Sequence, residues 1–510
     1  MNKLPRSRLF ARWFSRRHFR RHFIEVLEPR CVLTLTVPAL SSLPGANHTI
    51  LLDFDGHVTT NTEWNTYDFD EDGDVNPLIN SPGYDIDGNA TSFSSTELTR
   101  IEEAWKRVSE DYIPFNVNVT TVDPGVEALR KSGASDTRWG IRVVITADTE
   151  GSEAGGIAYI DSFNWNTDTP AFVYVTGAKS VAEAVSHEAG HSLGLDHDGA
   201  SGSEYYSGHG SGNTSWAPIM GLGYYNSVTT WDRGEFFGAT NRGSSANFGE
   251  GSDDLAVITT LNGFGYRNDD HGNTNATASA LAVSGTSVSG SGIIERTTDI
   301  DVFRFSTAAG LVTLDISPFT PGPNLDVKAS LYNSGGTLVA TSNPSDVLNA
   351  SFSLILTAGQ YYVSIDGTGV GSPTTSSPTG YTDYASLGRY FVTGTIIDLE
   401  TLPLPELTIN DVTVNEDAGT ATFTVSLIGT LTGAVSVNYA TVNNSAVAGS
   451  DFTAKSGSLT FSLGGSTTRS VTVSILNDTA VESTENFFVN LSTAVGATII
   501  DAQGRATITD

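Results

Sequence analysis

Residues 187 to 197 read HEAGHSLGLDH, a pattern that restricts the local fold severely. On an α-helix, His187 and His191 stand one turn apart on the same face, so both imidazoles can turn toward one metal ion. Glu188 beside them can reach a water on that ion. Gly194 makes a third ligand possible. Lacking a Cβ, it can adopt a left-handed conformation that ends the helix and turns the chain back, so that His197 completes a three-nitrogen set. Three neutral imidazoles with a fourth position open to water suit Zn²⁺, which lowers the pKa of its bound water to about 7. Ahead of the motif, Ser180-Val-Ala-Glu183 reads as a capping box, and from Ser180 to Leu193 there is no Pro and no Gly except Gly190. The spacing thus predicts a helix of about three turns over 180–193.

These residues resemble the metzincin metallopeptidases, whose extended motif HExxHxxGxxH is followed by a methionine turn. Trp216-Ala-Pro-Ile-Met220-Gly matches that turn, and Met220 is one of two methionines in the chain, the other being the initiator. The resemblance implies that Met220 forms an apolar floor beneath the ligands, that His187, His191 and His197 hold zinc, and that Glu188 is the general base of peptide-bond hydrolysis. Asp198, directly after the third histidine, resembles the reprolysin-like branch and reads as structural. Tyr224 and Tyr225 come too late in the chain for a tyrosine ligand and read as pocket-wall aromatics.

The formal charge of −30 is unevenly spread. Residues 1 to 30 hold nine Lys and Arg against two Glu, which leaves −37 on the other 480. So acidic a body will not bind nucleic acid by neutralising phosphates, and it suits an exported protein with divalent-cation sites. A single cysteine, Cys31, rules out an intramolecular disulfide and makes calcium the expected staple. No stretch is apolar for long enough to form a transmembrane helix.

Ser15-Arg-Arg-His-Phe19 looks like a twin-arginine signal, but Glu25, Glu28 and Arg30 interrupt the stretch after it. Leu27-Glu-Pro-Arg30-Cys-Val-Leu33 resembles the LEPR-XLL segments of large exported bacterial proteins, implying secretion or display at the cell surface. Pro29-Arg30-Cys31 also resembles the cysteine switch of matrix metalloproteinase propeptides, although the residues that normally complete it are missing.

From about 44 to 266 the pattern is strand, helix, strands, helix. His48 to Asp55 reads as a strand. Leu98, Ile101, Trp105, Val108 and Tyr112 have helical spacing behind a second capping box, Ser94-xx-Glu97, and residues 115 to 121 alternate as a strand. Strands are also expected at 141–146, 157–163 and 172–175. The stretch after Gly155-Gly156 is a candidate edge strand onto which an extended peptide could add. Asp68-x-Asp70-x-Asp72-Gly73 matches the first half of an EF-hand loop, with Ile79 where the twelfth-position Glu should stand, so Asp68, Asp70 and Asp72 are candidate calcium ligands. His57, His209 and His271 lack ligand spacing and read as loop or packing residues.

Beyond 267 the composition turns to Ser, Thr, Gly, Val and Asn in short alternating strands, the pattern of β-sandwiches. Asp269-Asp-His-Gly272, Thr298-Asp-Ile-Asp301-Val-Phe-Arg-Phe305 and Gly359-Gln-Tyr-Tyr-Val-Ser-Ile365 make 268–398 resemble a pre-peptidase C-terminal domain. A Pro-containing linker comes next at 400–405. Val414-Asn-Glu416, Gly449-Ser-Asp451-Phe452, Asn477-Asp478, Glu482 and Glu485 make 406–510 resemble a Calx-beta domain, which implies calcium at Glu416, Asp451, Asp478, Glu482 and Glu485.

The expected chain is therefore multidomain. A basic export segment (1–43) precedes an α+β, metzincin-like catalytic domain (44–266) and two all-β sandwich domains (268–398 and 406–510). The expected function is that of a secreted or cell-surface zinc endopeptidase acting on proteins or peptides, with Ca²⁺ as a second metal. The alternative is an adhesin or matrix-binding protein whose β-modules dominate. Glu188 favours the peptidase, because binding zinc for stability needs only the histidines.

Overall fold

In the computed structural model, which describes residues 36–66, 75–89, 91–147, 154–240, 253–398, 403–429, 431, 433–462 and 465–510, the Ser94-xx-Glu97 pattern does what its chemistry predicts. Ser94 Oγ accepts from the Glu97 amide, the Glu97 carboxylate accepts from the Ser94 amide at 2.6 Å, and helix α1 (Ser95–Asp111) begins there. Its apolar face of Ile101, Ala104 and Val108 is buried against helix α2 (Ala178–Ser192).

Strand β1 (Thr49–Asp53) is buried along its whole length, as a central parallel strand must be when helices and loops cover both faces. It pairs in parallel with β2 (Asn118–Thr120) and β3 (Gly140–Ile145). Strand β4 (Gly156–Ile157) lies at the edge, antiparallel to β5 (Ala171–Val173), giving the order β2-β1-β3-β5-β4. A third helix, α3 (Asp254–Leu261), begins where the Asp253 carboxylate accepts from the Ala256 amide.

Two sequence expectations give way here. The stretch 157–163 is not one strand: β4 ends at Ile157, and Ser162–Asn164 forms a 3₁₀ turn. Asp161 takes a left-handed conformation (φ 62°) and donates its amide to the His191 carbonyl at the end of α2, which pulls the chain out of the sheet. Nor is Ser180 the cap of α2. The helix starts two residues earlier, after Gly177, with no side-chain cap, and the Val181 amide already donates to the Gly177 carbonyl. Ser180 therefore lies inside the helical ladder, and Glu183 is free for another use.

Residues 279–395 form two five-stranded sheets, ordered Ser279–Ala280, Ile300–Thr307, Gly359–Gly367, Val327–Asn333, Leu338–Ser342 and Ala282–Ser284, Ser287–Ile294, Gly388–Thr395, Gly310–Pro318, Ala350–Leu356. Their buried faces share one core with the helices and sheet of the first unit, a continuous cluster running from Ile50 to Ile396. Polar contacts reinforce the junction. The buried Glu110 of α1 accepts from the Arg389 amide at 2.7 Å and from its guanidinium at 3.0 Å, and Asn324 donates to Asp111 at 2.8 Å. Asp111 in turn accepts from Ser186 on α2 at 2.5 Å. Residues 405–510 make a four-stranded and a five-stranded sheet around a core of their own, where Phe452 and Phe487 stack at 4.1 Å. None of the described helices is long and apolar enough to cross a membrane.

Candidate metal centre

Helix α2 carries His187, Glu188 and His191 on a face that is almost wholly buried, at 9, 6 and 7 % exposure. The helix ends at Ser192, and Gly194 lies just beyond with φ +97°. A Cβ on Gly194 would lie 2.4 Å from Asp161 Oδ1, so glycine is required here both for conformation and for space. The turn brings His197 back over the helix. The three ring centroids then stand 4.7, 4.7 and 5.3 Å apart, and one nitrogen from each ring lies within 4.8 Å of the others.

The backbone orients each ring. His187 Nδ1 donates to the Ile219 carbonyl at 2.9 Å and His191 Nδ1 to the Leu195 carbonyl at 2.8 Å, while His197 Nδ1 meets the Glu204 carboxylate at 2.9 Å. A carbonyl can only accept, so the first two contacts fix the tautomer and leave the Nε2 lone pairs of His187 and His191 pointing inward. His191 Nε2 and His197 Nε2 face each other at 3.0 Å, a pair of donor atoms that a shared cation would satisfy. Burial holds His187 well below the usual histidine range and His191 down to about 4. Neutral imidazoles are what a metal requires. The donor set therefore fits zinc.

Beneath the ligands, Met220 is fully buried, and a Cβ on Gly190 would lie 2.5 Å from its sulfur. The absence of a side chain at Gly190 lets the methionine sit against the helix. Asp198, 2 % exposed, donates its amide to the Met220 carbonyl and accepts the Tyr206 amide at its own. It ties the third-histidine turn to the methionine segment, a structural placement.

A cavity of about 230 Å³ opens beside His187 and Glu188, lined also by Gly155, Gly156, Glu183, Tyr205 and Tyr224. Burial pushes the Glu188 carboxyl up to about 8, a shift that a nearby cation would oppose. A Cβ on Gly156 would come 2.7 Å from the Glu188 side chain, so glycine lets edge strand β4 pass directly over the carboxylate. Glu183, one turn before His187, is half-buried. Thr229 donates to its Oε1 at 3.3 Å, its Oε2 faces Gly223, and burial raises its pKa to about 7.

Sequence reasoning misplaced or missed several lining residues. Tyr224 lines the cavity, but Tyr225 is 91 % exposed and borders a different one, so it is no wall of this site. Tyr205, whose ring lies 4.2 Å from that of His197, and Glu204 were missed. Both sit in an irregular Gly/Ser-rich loop with no periodic signal. His57, His209 and His271 lie apart from the triad; His209, for example, bonds Tyr206 and the Gly380 carbonyl.

The calcium candidates divide. Oxygens of Asp451, Glu482 and Glu485 come within 4.8 Å of one another, and Glu416 lines the same small cleft, with Asp510 as a further carboxylate that sequence reasoning did not include. Asp478 does not line that cleft: its carboxylate accepts the Ala480 amide, and its own amide donates to Glu416 at 3.1 Å. Asp68, Asp70 and Asp72, like the 27–33 segment and Cys31, lie outside the described residues. Ile79, the twelfth position of the EF-hand-like loop, is buried in a strand paired with His57–Thr59 and cannot ligate.

Comparison with known proteins adds two regions. Residues 106–198 match the model of the M12B reprolysin-like metallopeptidase family, and residues 405–510 match the Calx-beta domain model. Among solved structures, the apo form of the Calx CBD1 domain is 24 % identical over 21 % of this chain and 97 % of its own, with a TM-score of 0.20. The CBD12 fragment of CALX1.2 is also 24 % identical over 21 % of this chain, with a TM-score of 0.20, and the match spans 45 % of that chain. No curated protein matches the sequence. The chain thus combines a metallopeptidase-like region with a mainly-β Calx-beta region.

Proposed function

We propose that this chain is a secreted or surface zinc-dependent endopeptidase. The observation that carries the reading is the convergence of three imidazole nitrogens, two with their tautomers set by backbone carbonyls, beside a buried glutamate in a cavity crossed by a sheet edge. His187, His191 and His197 would hold the metal. A zinc ion bound there supplies a Lewis acid for the scissile carbonyl and an acidified water. Glu188 takes a proton from the attacking water and delivers it to the departing amine nitrogen. Strand β4, at the edge of its sheet among the described residues, would bind substrate in extended form, with Gly156 keeping it close to Glu188. Tyr224 and Tyr205 wall the cavity and limit water around the reacting groups.

The same reading assigns the basic N-terminal segment, with its LEPR-type sequence, to export, and the 268–398 sandwich to the pre-peptidase C-terminal type. Reprolysin-like peptidases are zinc enzymes and Calx-beta domains bind calcium, so Glu416, Asp451, Glu482 and Glu485 are assigned to Ca²⁺. The shared core across residue 267 makes the whole chain the right sample.

The test pairs metal analysis with cleavage of a mixed peptide library. His191→Ala should release most of the zinc. Glu188→Gln should keep it and lose hydrolysis by several orders of magnitude. Full activity in the Glu188→Gln protein would overturn the mechanism.

A further inference from the structure

A cavity of about 570 Å³, more than twice the volume of the one beside Glu188, lies where α1 and α2 meet the 279–395 sandwich. Arg107 of α1 and Lys179 of α2 line it from the helices, and Pro318, Thr320 and Leu348 from the sandwich. Among the described residues no aspartate or glutamate lines it. The chain carries −37 beyond residue 30, so two cations without a carboxylate in one cavity go against its general charge. Like charges facing one space repel each other, and an anion between them removes that cost. Neither cation is used up by its neighbours. Arg107 gives Nε and Nη2 to a single oxygen of Glu103, at 3.1 and 2.8 Å, and its Nη1 makes no hydrogen bond among the described residues. Lys179 donates to the Asn226 carbonyl, which uses one of the three protons of an ammonium. Burial holds that ammonium below the usual lysine range; Glu183 opposes the shift and Arg107 adds to it. A bound anion would oppose it too.

The cavity also lies next to the metal centre. Lys179, Glu183, His187 and His191 follow one another at four-residue intervals along one face of α2. The 223–227 loop divides the two cavities: Gly223 and Tyr224 line the one beside Glu188, and Tyr225, Asn226 and Ser227 line this one. Lys179 stands about 12 Å along the helix axis from His187, a distance that an extended peptide covers in about four residues. On its border Tyr225 leaves 91 % of its surface in water, and exposed tyrosines are what binding surfaces use for contact area. On the sandwich side both oxygens of Asp315, which does not line the cavity, are taken by Ser317 at 2.8 Å and Asn349 at 2.9 Å.

We propose that this cavity is a second substrate-binding site, in which Lys179 and Arg107 take the carboxylate of an acidic side chain and Tyr225 packs on the adjoining stretch of peptide. The apolar lining by Pro318 and Leu348 suits a peptide chain better than a bare ion, and the volume falls in the range of roughly 300–1,000 Å³ that ligand sites occupy, often between domains. A glutamate or aspartate about four or more residues from the scissile bond reaches the two cations while the bond itself lies at the metal centre. That the occupant is a substrate rests on the peptidase reading; the charge pattern of the cavity does not.

The experiment uses the full chain with Glu188→Gln introduced, so that a bound peptide stays intact. The probe is a fluorescein-labelled peptide of Gly and Leu with two adjacent Glu residues, compared by anisotropy with the same peptide carrying Gln in their place. The Glu peptide should bind about 10-fold more tightly, the difference made by a charge-assisted contact, and the preference should shrink as salt is added. Lys179→Met and Arg107→Gln should each remove most of it. Tyr225→Asp, which adds a negative charge at a residue 91 % exposed, should turn the preference toward the Gln peptide; this arm stands if Lys179→Met does not fold. Inorganic phosphate at the same concentration as the peptide should not displace it. With Glu188 restored, a Glu placed four to six residues from the scissile bond should lower KM and leave kcat unchanged. If no peptide is cleaved, the anisotropy still reads the cavity, so failure of this site and failure of the peptidase reading are told apart. Equal binding of the Glu and Gln peptides, a preference that survives in both Arg107→Gln and Tyr225→Asp, or displacement by equal phosphate would each overturn the assignment.

Discussion

Gly190 and Met220 offer a direct test of how the metal helix is packed. At an open site within a helix, Gly→Ala stabilises by roughly 0.5–1 kcal/mol. Here the added Cβ would stand 2.5 Å from Met220 Sδ, 3.4 Å from its Cε and 3.5 Å from Leu195 Cδ1. The first distance is over 1 Å short of an ordinary contact of about 3.5–4.0 Å, and Met220 and Leu195 are both 0 % exposed. Overpacking of this kind costs about 1–3 kcal/mol. Gly190→Ala should therefore lose a net ~0.5–2 kcal/mol, despite better helix propensity. Met220→Ala should itself cost about 2–5 kcal/mol as a cavity. It also removes the clashing sulfur, so Gly190→Ala in that background should gain about 0.5–1 kcal/mol. The coupling between the two sites is then about 1–3 kcal/mol. Scanning calorimetry of the full chain would read it in the transition that contains the candidate metal centre, at about 2–4 °C per kcal/mol. Stabilisation of the wild-type background by Gly190→Ala, or additive single mutants, would refute the packing argument.

Two further outcomes rest on buried carboxyls. Glu110 is 0 % exposed, and burial raises its pKa from 4.5 to about 7 even though Arg389 opposes the shift. The folded state then holds the proton more tightly than the unfolded chain, so this contribution to stability is complete below pH 4.5 and is lost as pH rises through 7, on the order of 3 kcal/mol in all. The Tm of Glu110→Gln should fall less steeply than that of wild type between pH 4.5 and 7, and parallel curves would remove Glu110 from the pH response. Glu183 lines the cavity beside Glu188, with Oε2 facing Gly223, where a lysine or arginine of a substrate would meet a carboxylate. If the proposed hydrolysis holds, Glu183→Gln should lower kcat/KM for peptides with a basic residue next to the scissile bond by about 10–100-fold, the worth of a charge-assisted hydrogen bond. Norleucine analogues should change little, and an equal loss on both would mean that Glu183 only shapes the cavity.

What the sequence could determine is whatever lies within one or two helical turns of itself. The positions of His187, Glu188 and His191 come from the 3.6-residue period, and the left-handed Gly194 from the need to turn His197 back. The capping box at Ser94 was legible for the same reason, since both of its hydrogen bonds close within four residues. The apparent box at Ser180 had the same letters but not the same role, because packing extended α2 back to Ala178 and turned Glu183 toward the cavity. Only the tertiary structure could decide contacts closed over long separations. Gly156 reaches Glu188 across the sheet, Met220 fills the space left by Gly190, and Arg389 binds Glu110 across 279 residues. Asp269, Glu295, Asp299 and Asp301 read along the chain as turn and strand residues. Burial takes Glu295, Asp299 and Asp301 out of water while Asp269 stays exposed, and among the described residues no lysine or arginine pairs with them.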